Sequence, residues 1–392
     1  MEACKPILNT GLRGFQVAST RISDVDGQNG ILIYRGYLAK DLAGKISFEE
    51  LVFLLLYDKL PSKDELADFE AQLAAERQVP PEIIAALKTR PKDALPMDIL
   101  QSSVAMLAHH DSDTREHSSE AAHRMGIKLI AKLPTIVAAW DRIRKDKEPL
   151  EPKPDLGHAA NFLYMLNGTV PDDELTGFFD DCLILHAEHS FNASTFAARE
   201  VASTRAHMYA AVAAGVGSLS GELHGGANTR VMEMLLEIGS VDKVEEYVTN
   251  LLDTGGIIMG LGHAVYQTDD PRAHILAPMS KIMGERTGET KWYEMSKLLE
   301  QKGKEAFKRK KGRDIYVNVD FYSASLYHYM GIPADLFTPI FAISRISGWA
   351  AHVVEEQFGG AAPKPVLYRP DSKYIGEYCG EEGCTFVPME ER

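Results

Sequence analysis

Apolar residues recur three and four positions apart along most of this 392-residue chain, and that spacing favours helix over strand. The helical segments are separated by Pro, Gly and polar clusters, and several begin with a recognisable cap. Ser47 and Glu50 form one capping-box pattern, and Ser62 and Glu65 form a second one directly after Pro61. The sequence therefore predicts a mainly α fold.

The same spacing predicts longer helices over five further stretches: Met97–His109, Ser118–Lys132, Thr135–Lys145, Pro171–Leu185 and Thr338–Phe358. Thr338 is expected to cap the last of these helices, with Pro339 at its first position. Candidate strands are few and short: Ile31–Tyr34, Tyr316–Val319 and Pro365–Tyr368.

Chain length and composition indicate an ordinary globular protein of two domains. Apolar residues make up 45% of the chain and charged residues 25%, which suffices for a packed core. The net charge of -14 argues against nucleic acid as a partner, because its phosphates would be repelled. No apolar run approaches the roughly 18 residues that a membrane span needs, and the N-terminus lacks a signal sequence. We therefore expect a soluble, cytoplasmic protein.

The chain has four cysteines, too few for a disulfide framework in a protein of this size. Cys379 and Cys384 are the only close pair, and their spacing fits no usual zinc pattern. Free thiols in a reducing compartment are therefore expected at both positions.

Four histidines lie in settings that draw attention. His189 follows His186 by three residues, so on a helix the two share a face, either as metal ligands or as buried polar groups. Their spacing differs from the known zinc signatures. His224 is followed by two glycines on a turn between apolar stretches, where its imidazole can face a ligand. His263 ends a glycine-rich stretch that matches neither a P-loop nor a dinucleotide fingerprint.

Three charged residues lie in surroundings that call for an explanation. Asp320 is embedded among apolar and aromatic residues; burial would raise its pKa and make it a better base, although it could equally cap the helix Phe321–Tyr329. Arg272 follows a proline-fixed turn that brings a bidentate donor back toward His263. Arg345 lies on an apolar helix stripe and needs an anionic partner, either a protein carboxylate or a ligand.

Six motifs, in this order, resemble the pattern of the citrate synthase family: HAEHSFNAST, LHGGAN, GHAVY with DPRA, NVDFYS, SRISGWAAH and YRP. The likeness begins at GLRGF and DVDGQNGILIYRGY and covers nearly the whole chain. It implies a two-domain helical fold, with a large domain of residues 1–223 and 333–392 and a small domain of residues 224–332. It also implies a homodimer whose active sites lie in the clefts between the domains.

The resemblance implies condensation of acetyl-CoA with oxaloacetate, then hydrolysis of citryl-CoA, in the tricarboxylic acid cycle. It implies no metal and no permanently bound cofactor, because the coenzyme A thioester is a substrate. Asp320 is similar in position to the base that takes the acyl proton. His224 resembles the donor to the thioester carbonyl, and His263 the donor to the ketone of oxaloacetate.

The resemblance also implies how the substrates are held. The two carboxylates of oxaloacetate would bind to His189, Arg272, Arg345 and Arg369, the last supplied by the partner subunit. The main-chain lip over the adenine of coenzyme A is implied at Ile258, Met259, Gly260, Leu261 and Gly262. The seven basic residues in Lys302–Arg313 either form a solvated helix face or serve the nucleotide phosphates.

The chain departs from the family pattern at four positions: Glu222 and Val317 where proline is common, Ala324 where glycine is common, and Ala264 where arginine is common. No departure removes a catalytic group, but together they leave the acyl substrate open. The nearest alternative is 2-methylcitrate synthase, which takes propionyl-CoA; one methylene in an apolar pocket is worth only about 1–3 kcal/mol.

Two alternatives come from other classes of protein. A non-catalytic coenzyme A-binding protein would be expected to lack His224, His263 or Asp320, and all three are present. A metal-dependent hydrolase built on His186 and His189 is a further alternative, which would lose its activity to a strong chelator.

Overall fold

In a computed structural model of the protein, the described residues are 11–12, 14–263, 265–360, 364–376 and 383–392. Those residues form sixteen α-helices and one three-stranded sheet, which confirms the mainly α prediction. The strands are β1 Ser23–Asp26, β2 Ile31–Tyr34 and β3 Tyr37–Leu38. The helices are α1 Ala39–Leu42, α2 Phe48–Tyr57, α3 Lys63–Glu76, α4 Pro81–Lys88, α5 Pro96–Leu107, α6 Ser119–Arg144, α7 His158–Asn167, α8 Asp173–His186, α9 Ala193–Ser203, α10 Met208–Leu219, α11 Ala227–Ile238, α12 Val244–Asp253, α13 Pro271–Thr287, α14 Lys291–Lys311, α15 Asp320–Tyr329 and α16 Phe337–Phe358.

The two predicted capping boxes are confirmed. The Ser47 side chain accepts from the Glu50 N–H at the start of α2, and the Glu50 side chain accepts from the Ser47 N–H in return. Ser62 and Glu65 make the same pair of bonds at the start of α3. Each box satisfies donors that the first turn of a helix leaves without partners.

Two predicted helix boundaries are wrong. The helices expected on either side of Pro134 are one continuous helix, α6, because its long buried face packs against α16 and outweighs the hydrogen bond that proline removes. Helix α16 begins one residue before Thr338, whose hydroxyl donates to the Gly225 carbonyl (3.0 Å) instead of capping the helix.

Of the three predicted strands, only the first is confirmed. Ile31–Tyr34 is confirmed as β2, which pairs antiparallel with β1, Ser23 opposite Tyr34. Tyr316–Val319 forms only one bridge, between Val317 and Leu261, and Pro365–Tyr368 is not a strand. A short apolar run needs a neighbouring strand to pair with, and that neighbour cannot be read from the run itself.

The helices pack in two groups. Helices α11 to α15 contact mainly one another, whereas α16, buried along nearly its whole length, is the centre around which α2, α5, α6, α8, α9 and α10 pack. This grouping supports the proposed division into 1–223 with 333–392 and 224–332. Within the described residues, no helix combines the length and apolarity that crossing a bilayer requires.

The cysteines differ from the expectation of free thiols at one position. Cys384 is disulfide-bonded, so that expectation is wrong there, and Cys379 lies outside the described residues. Cys182 is a free, buried thiol in α8.

Candidate active site

The residues singled out from the sequence converge where the two helix groups meet. The rings of His189, after α8, and His263, before α13, lie 5.4 Å apart between centroids. Asp320 opens α15, within electrostatic reach of Arg272 in the first turn of α13 and Arg345 in α16. The charge of Arg345 also reaches His224. One site therefore draws on five separate segments of the chain.

The backbone fixes which nitrogen of His263 carries a proton. Its Nδ1 faces the main-chain N–H groups of Val265 (2.9 Å) and Tyr266 (3.0 Å). Both groups can only donate, so Nδ1 accepts and the proton lies on Nε2. Burial, helped by the charge of Arg272, lowers the pKa of His263 to about 4. The ring is thus a neutral hydrogen-bond donor through Nε2.

His224 is held in the opposite tautomer. Its Nε2 accepts from the Ser194 N–H (3.1 Å) at the start of α9 and lies 2.8 Å from the Ser194 hydroxyl. The proton is therefore on Nδ1. Burial, with the charge of Arg345, lowers its pKa to about 4, so this histidine is a neutral donor as well. The turn that carries it also presents Leu223, which is fully exposed at 102%.

Asp320 has the properties of a base and lacks those of a helix cap. Val319 occupies the N-cap of α15, and the side chain that accepts from the first N–H of that helix is Asn318 (3.1 Å), not Asp320. Burial raises the pKa of the Asp320 carboxyl to about 6, against the opposing charges of Arg272 and Arg345. A carboxylate that is costly to keep ionised binds a proton readily.

Arg272 is fully buried and already paired. Its Nε and Nη2 donate to the two oxygens of Asp270 at 2.9 and 2.7 Å, and Nη1 lies 3.4 Å from the Leu185 carbonyl. Burial alone would raise the pKa of Asp270, but Arg272 outweighs it and the pKa is lowered. One edge of the guanidinium is therefore fixed by protein, and Nη1 is the edge left for a ligand.

Arg345 is buried to the same degree without an ion-pair partner. Its Nε donates to the His186 carbonyl (2.8 Å), and its guanidinium lies over the Phe341 ring at 4.7 Å. No carboxylate of the described residues lies within 4.0 Å of it. Burial lowers its pKa to about 10. Of the two partners open at the sequence level, this environment favours an anionic ligand.

The buried carboxylate whose charge acts most strongly on Arg345 is Glu188, which the sequence did not indicate. His352 Nε2 donates to its Oε1 (3.0 Å), as does the Ser23 hydroxyl (2.9 Å), while Oε2 is buried with no hydrogen-bond partner among the described residues. A Cβ at Gly348 would lie 2.2 Å from that oxygen, so only glycine lets the carboxylate lie against α16. Burial would raise the pKa of Glu188, but His352 and Arg345 outweigh it and the pKa is lowered.

The two neighbouring histidines do not form a metal centre. His186 Nδ1 lies 2.7 Å from the Cys182 carbonyl, to which it donates within α8, whereas His189 Nε2 lies 3.3 Å from the Tyr266 hydroxyl. Among the described residues, no three His, Cys, Asp or Glu side chains are grouped to hold a metal ion. Burial lowers the pKa of His189 well below its ordinary value, with Arg272 adding to the effect.

The stretch 258–262 connects His263 to Asp320 through main-chain pairing. The Gly262 N–H donates to the Tyr316 carbonyl (2.7 Å), and the Asn318 N–H donates to the Gly260 carbonyl (3.0 Å). Gly260 has φ of +79°, and a Cβ there would lie 2.7 Å from the Phe321 ring, so glycine is required. The side chains of Ile258 and Leu261 are buried in the core, Met259 packs partly against it, and Gly262 is half-buried.

Arg369 does not join the cleft of its own chain. It is exposed, and its side chain makes no ion pair with the described residues. The preceding residue anchors the segment: the Tyr368 hydroxyl donates to Glu356 (2.9 Å), and the Tyr368 N–H donates to the Ser203 hydroxyl (3.2 Å).

The basic run at the end of α14 is largely neutralised. Lys302 pairs with Glu245 (2.9 Å) and Lys308 with Asp314 (2.9 Å), and Lys304 and Lys310 likewise have acidic partners. A solvated helix face explains this run better than a phosphate site does.

The departures from the family pattern have ordinary surroundings. Glu222 is exposed, and its carboxylate lies 3.3 Å from Nη1 of Arg230. This ion pair offsets the effect of the Glu222 charge on His224. Val317 forms the bridge to Leu261 described above, and Ala324 is buried in α15. Ala264 lies outside the described residues.

Three further residues of this site were missed: Asp270, Tyr266 and Ser194. Asp270 could have been found from the sequence. An aspartate directly before a proline is typical of a helix cap, and this one accepts from the Arg272 N–H and pairs with the Arg272 side chain. The contacts of the Tyr266 hydroxyl with His189 and of Ser194 with His224 are distant in sequence, and nothing in the local patterns indicates them.

Known proteins resemble this chain over nearly its whole length. A family model described as citrate synthase, C-terminal domain, matches residues 11–371. A citrate synthase of Synechocystis sp. is 43% identical, covering 98% of this chain and 94% of its own. Citrate synthase 2 of Bacillus subtilis is 44% identical, covering 97% and 98%. A 2-methylcitrate synthase of Shewanella oneidensis is 37% identical, covering 96% and 97%.

Solved structures give the same result. The crystal structure of citrate synthase from Pyrobaculum aerophilum matches with a TM-score of 0.89 at 39% identity, covering 97% of this chain and 95% of that one. A citrate synthase from Thermoplasma acidophilum, solved as a ternary complex with carboxymethyl coenzyme A and oxaloacetate, matches with a TM-score of 0.89 at 30% identity, covering 97% and 98%.

Proposed function

Since the chain belongs to the citrate synthase family, we propose that it condenses acetyl-CoA with oxaloacetate and hydrolyses the resulting citryl-CoA to citrate and coenzyme A. The enzyme is an acyltransferase that converts the acyl group into an alkyl group on transfer. The observation that carries the proposed mechanism is the trio of Asp320, whose pKa is raised, and the two histidines held as neutral donors.

Each group of the trio has one task in the first step. The Asp320 carboxylate takes a proton from the methyl group of acetyl-CoA. His224 donates its Nδ1–H to the thioester oxygen, where negative charge develops as the enol forms. His263 donates its Nε2–H to the ketone oxygen of oxaloacetate, which makes that carbon the electrophile. The new C–C bond then joins the former methyl carbon of the acetyl group to the ketone carbon.

The remaining steps balance the reaction. The ketone oxygen gains a proton and becomes the hydroxyl of citryl-CoA. A water molecule then attacks the thioester carbon, the C–S bond breaks, and coenzyme A leaves as the thiol. Loss of the thioester makes the overall condensation favourable. No metal and no resident cofactor is needed for these steps.

The oxaloacetate carboxylates are assigned to His189, Arg272, Arg345 and Arg369 of the partner subunit. Support comes from Arg345, which has no ion-pair partner among the described residues, and from Nη1 of Arg272, which makes only a long bond to the Leu185 carbonyl (3.4 Å). The main chain of residues 258–262 is assigned to the adenine of coenzyme A, because this stretch leads into His263, pairs with the segment before Asp320 and buries the side chains of Ile258 and Leu261.

The proposal includes a homodimer in the cytoplasm, acting in the tricarboxylic acid cycle. Arg369 supports the dimer, because it is exposed and has no partner in the described part of its own chain. Apolar side chains in the same segment of the chain are exposed as well: Val366 by 54%, Leu367 by 56% and Ile375 by 88%. Exposed apolar side chains in one segment with an arginine that makes no ion pair are typical of a surface that a second subunit covers.

A thiol-release assay tests the proposal. At saturating oxaloacetate, acetyl-CoA is expected to release coenzyme A with a higher kcat/KM than propionyl-CoA. The reverse preference would make the protein a 2-methylcitrate synthase, the activity named for the Shewanella oneidensis relative. Absence of thiol release with either thioester would contradict both activities.

A further inference from the structure

The β1–β2 hairpin contacts both segments that carry the facing histidines, although it is far from them in sequence and no substrate role falls to it. We propose that this hairpin is a positioning element: β1 and β2 hold the His189 segment, and the turn between them holds the His263 loop, residues 265–268. Together these contacts would fix the separation and orientation of the two rings.

The first contact is made by Ser23 in β1. Its hydroxyl donates to Glu188 Oε1 and accepts from the Ser190 N–H, both at 2.9 Å. These partners lie immediately before and after His189. Ser190 has φ of +52°, a left-handed conformation that a non-glycine residue keeps only where its surroundings hold it. Ser23 thus helps to hold the strained turn that aims His189.

The second contact is made by Tyr34 in β2, which is fully buried. Its hydroxyl lies 3.0 Å from the Glu188 carbonyl and 3.3 Å from the Leu185 carbonyl. A carbonyl buried at the end of α8 needs a donor, and this phenol provides one. Both strands of the hairpin are therefore bound to the segment that carries His189.

The turn of the hairpin makes the third contact. The Gly27 carbonyl accepts from the Gln267 N–H (2.7 Å). A Cβ on Gly27 would lie 2.3 Å from the Val265 carbonyl oxygen, and a Cβ on Gly30 would lie 2.8 Å from Thr268 Cγ2. The His263 loop is packed so closely on this turn that neither glycine has room for a side chain.

The turn is rigid by its own hydrogen bonds. Asp26 Oδ1 accepts from the N–H groups of Gln28 and Asn29, both at 3.0 Å, and Oδ2 accepts from the Asn29 amide at 2.7 Å. A turn that is already fixed can transmit a position to the loop packed on it.

The loop matters because it sets the tautomer of His263. Val265 and Tyr266, whose N–H groups hold Nδ1 unprotonated, belong to the stretch that packs against Gly27. Tyr266 also reaches His189 through its hydroxyl at 3.3 Å. Under the proposed domain boundaries the hairpin is in the large domain and the loop in the small one, so this contact spans the cleft.

Gly27→Ala tests the inference, with Gln28→Ala as the matched control on an exposed neighbour in the same turn. The added methyl must push the loop away, and a displacement approaching 1 Å costs an active site up to about 10²-fold. We expect kcat/KM for oxaloacetate to fall at least ~10-fold in Gly27→Ala, with KM for acetyl-CoA unchanged. Gln28→Ala should retain wild-type values. Equal losses in the two variants, or no loss in Gly27→Ala, would overturn the inference.

A second readout needs no turnover, which matters because the kinetic test rests on the proposed function. In protein labelled with ¹⁵N-histidine, His263 should carry its proton on Nε2 in the wild type and in Gln28→Ala, and exchange between both nitrogens in Gly27→Ala. An unchanged tautomer would overturn the inference. A changed tautomer in a protein without condensing activity would sustain the hairpin's role while the proposed function fails.

Tyr34→Phe replaces Gly27→Ala if that variant does not fold, because it removes one oxygen atom and keeps the ring. KM for oxaloacetate should rise several-fold, with KM for acetyl-CoA unchanged. A wild-type KM for oxaloacetate in a folded Tyr34→Phe protein would count against the hairpin.

Discussion

Two regions of the cleft differ in how complete they are. The first, formed by His189, Arg272 and Arg345 and called the oxo-acid wall after the ligand proposed for it, is buried, and its polar groups contact carbonyls, the Asp270 carboxylate and a tyrosine. The second, formed by the turn 221–226 and the stretch 257–262 and called the thioester mouth after the substrate proposed for it, leaves Leu223 exposed by 102% and Ile257 by 74%.

Under the proposed function, the difference follows from what each region would bind. A buried charge without partners is costly, so the protein itself holds Arg272 and the histidines, and leaves Arg345 for the charge of the ligand. The mouth would admit a long thioester, and an exposed apolar side chain costs little in a folded protein. The oxo-acid wall would then be largely preformed, and the mouth would be completed by the thioester.

Asp320, where the wall meets the mouth, gives the largest expected effect. Asp320→Ala should lower kcat by at least ~10², because no other carboxylate takes its place as base. Oxaloacetate should still bind, since the wall is intact, and calorimetric titration would check this. Unchanged turnover would show that Asp320 only begins α15.

The next test breaks the wall at Arg345. Arg345→Met should weaken oxaloacetate binding by about 2–5 kcal/mol, the usual cost of removing one member of a buried charge pair. Arg345→Lys is the matched control: it keeps the charge but loses the planar fork, so it should recover only part of the affinity. Equal KM values for oxaloacetate in wild type and Arg345→Met would show that Arg345 does not bind oxaloacetate.

Arg369 tests whether the wall is completed by a second chain. Arg369→Ala should raise KM for oxaloacetate about 10-fold, a smaller effect because an exposed side chain loses less. When it is mixed and refolded with Asp320→Ala, half the dimers are hybrids with one intact site each, so about a quarter of wild-type activity should return. No recovery would place the arginine in the cleft of its own subunit.

The last test concerns the free energy of unfolding, where no loss of activity is measured. The folded pKa of Asp320, about 6, is raised above the unfolded value, so its neutral form stabilises the fold. That stability is complete below about pH 4 and is lost as the pH rises through about 6. Asp320→Asn, always neutral, should therefore be more stable than wild type by up to about 3 kcal/mol at about pH 8 and by much less at about pH 4.

Urea unfolding of both proteins at the two pH values measures this difference. The same pKa predicts that kcat/KM falls as the pH drops below about 6, because the base is then protonated. A gain in stability that does not grow with pH would mean that Asp320 is not buried in its ionised form.

Much of the fold was decided by local patterns. The capping boxes at Ser47 and Ser62 formed as predicted because their donors and acceptors lie within one turn of each other. Pro134 is a position where the local pattern gave the wrong prediction. Proline favours a helix break, but the packing of α6 against α16 keeps the helix continuous there.

The site divides in the same way. The sequence by itself determined which residue types are present, and glycine-rich settings and apolar neighbours were enough to mark His224, His263 and Asp320 as candidates. Only the tertiary structure decided their states: Ser194 sets one tautomer, the hairpin-packed loop sets the other, and Asp270 rather than a ligand holds one edge of Arg272. Protonation and burial depend on how the chain is folded, whether the contacting group is near in sequence, as Val265 is to His263, or distant, as Ser194 is from His224, because hydrogen bonds and electric fields act through space and not along the chain.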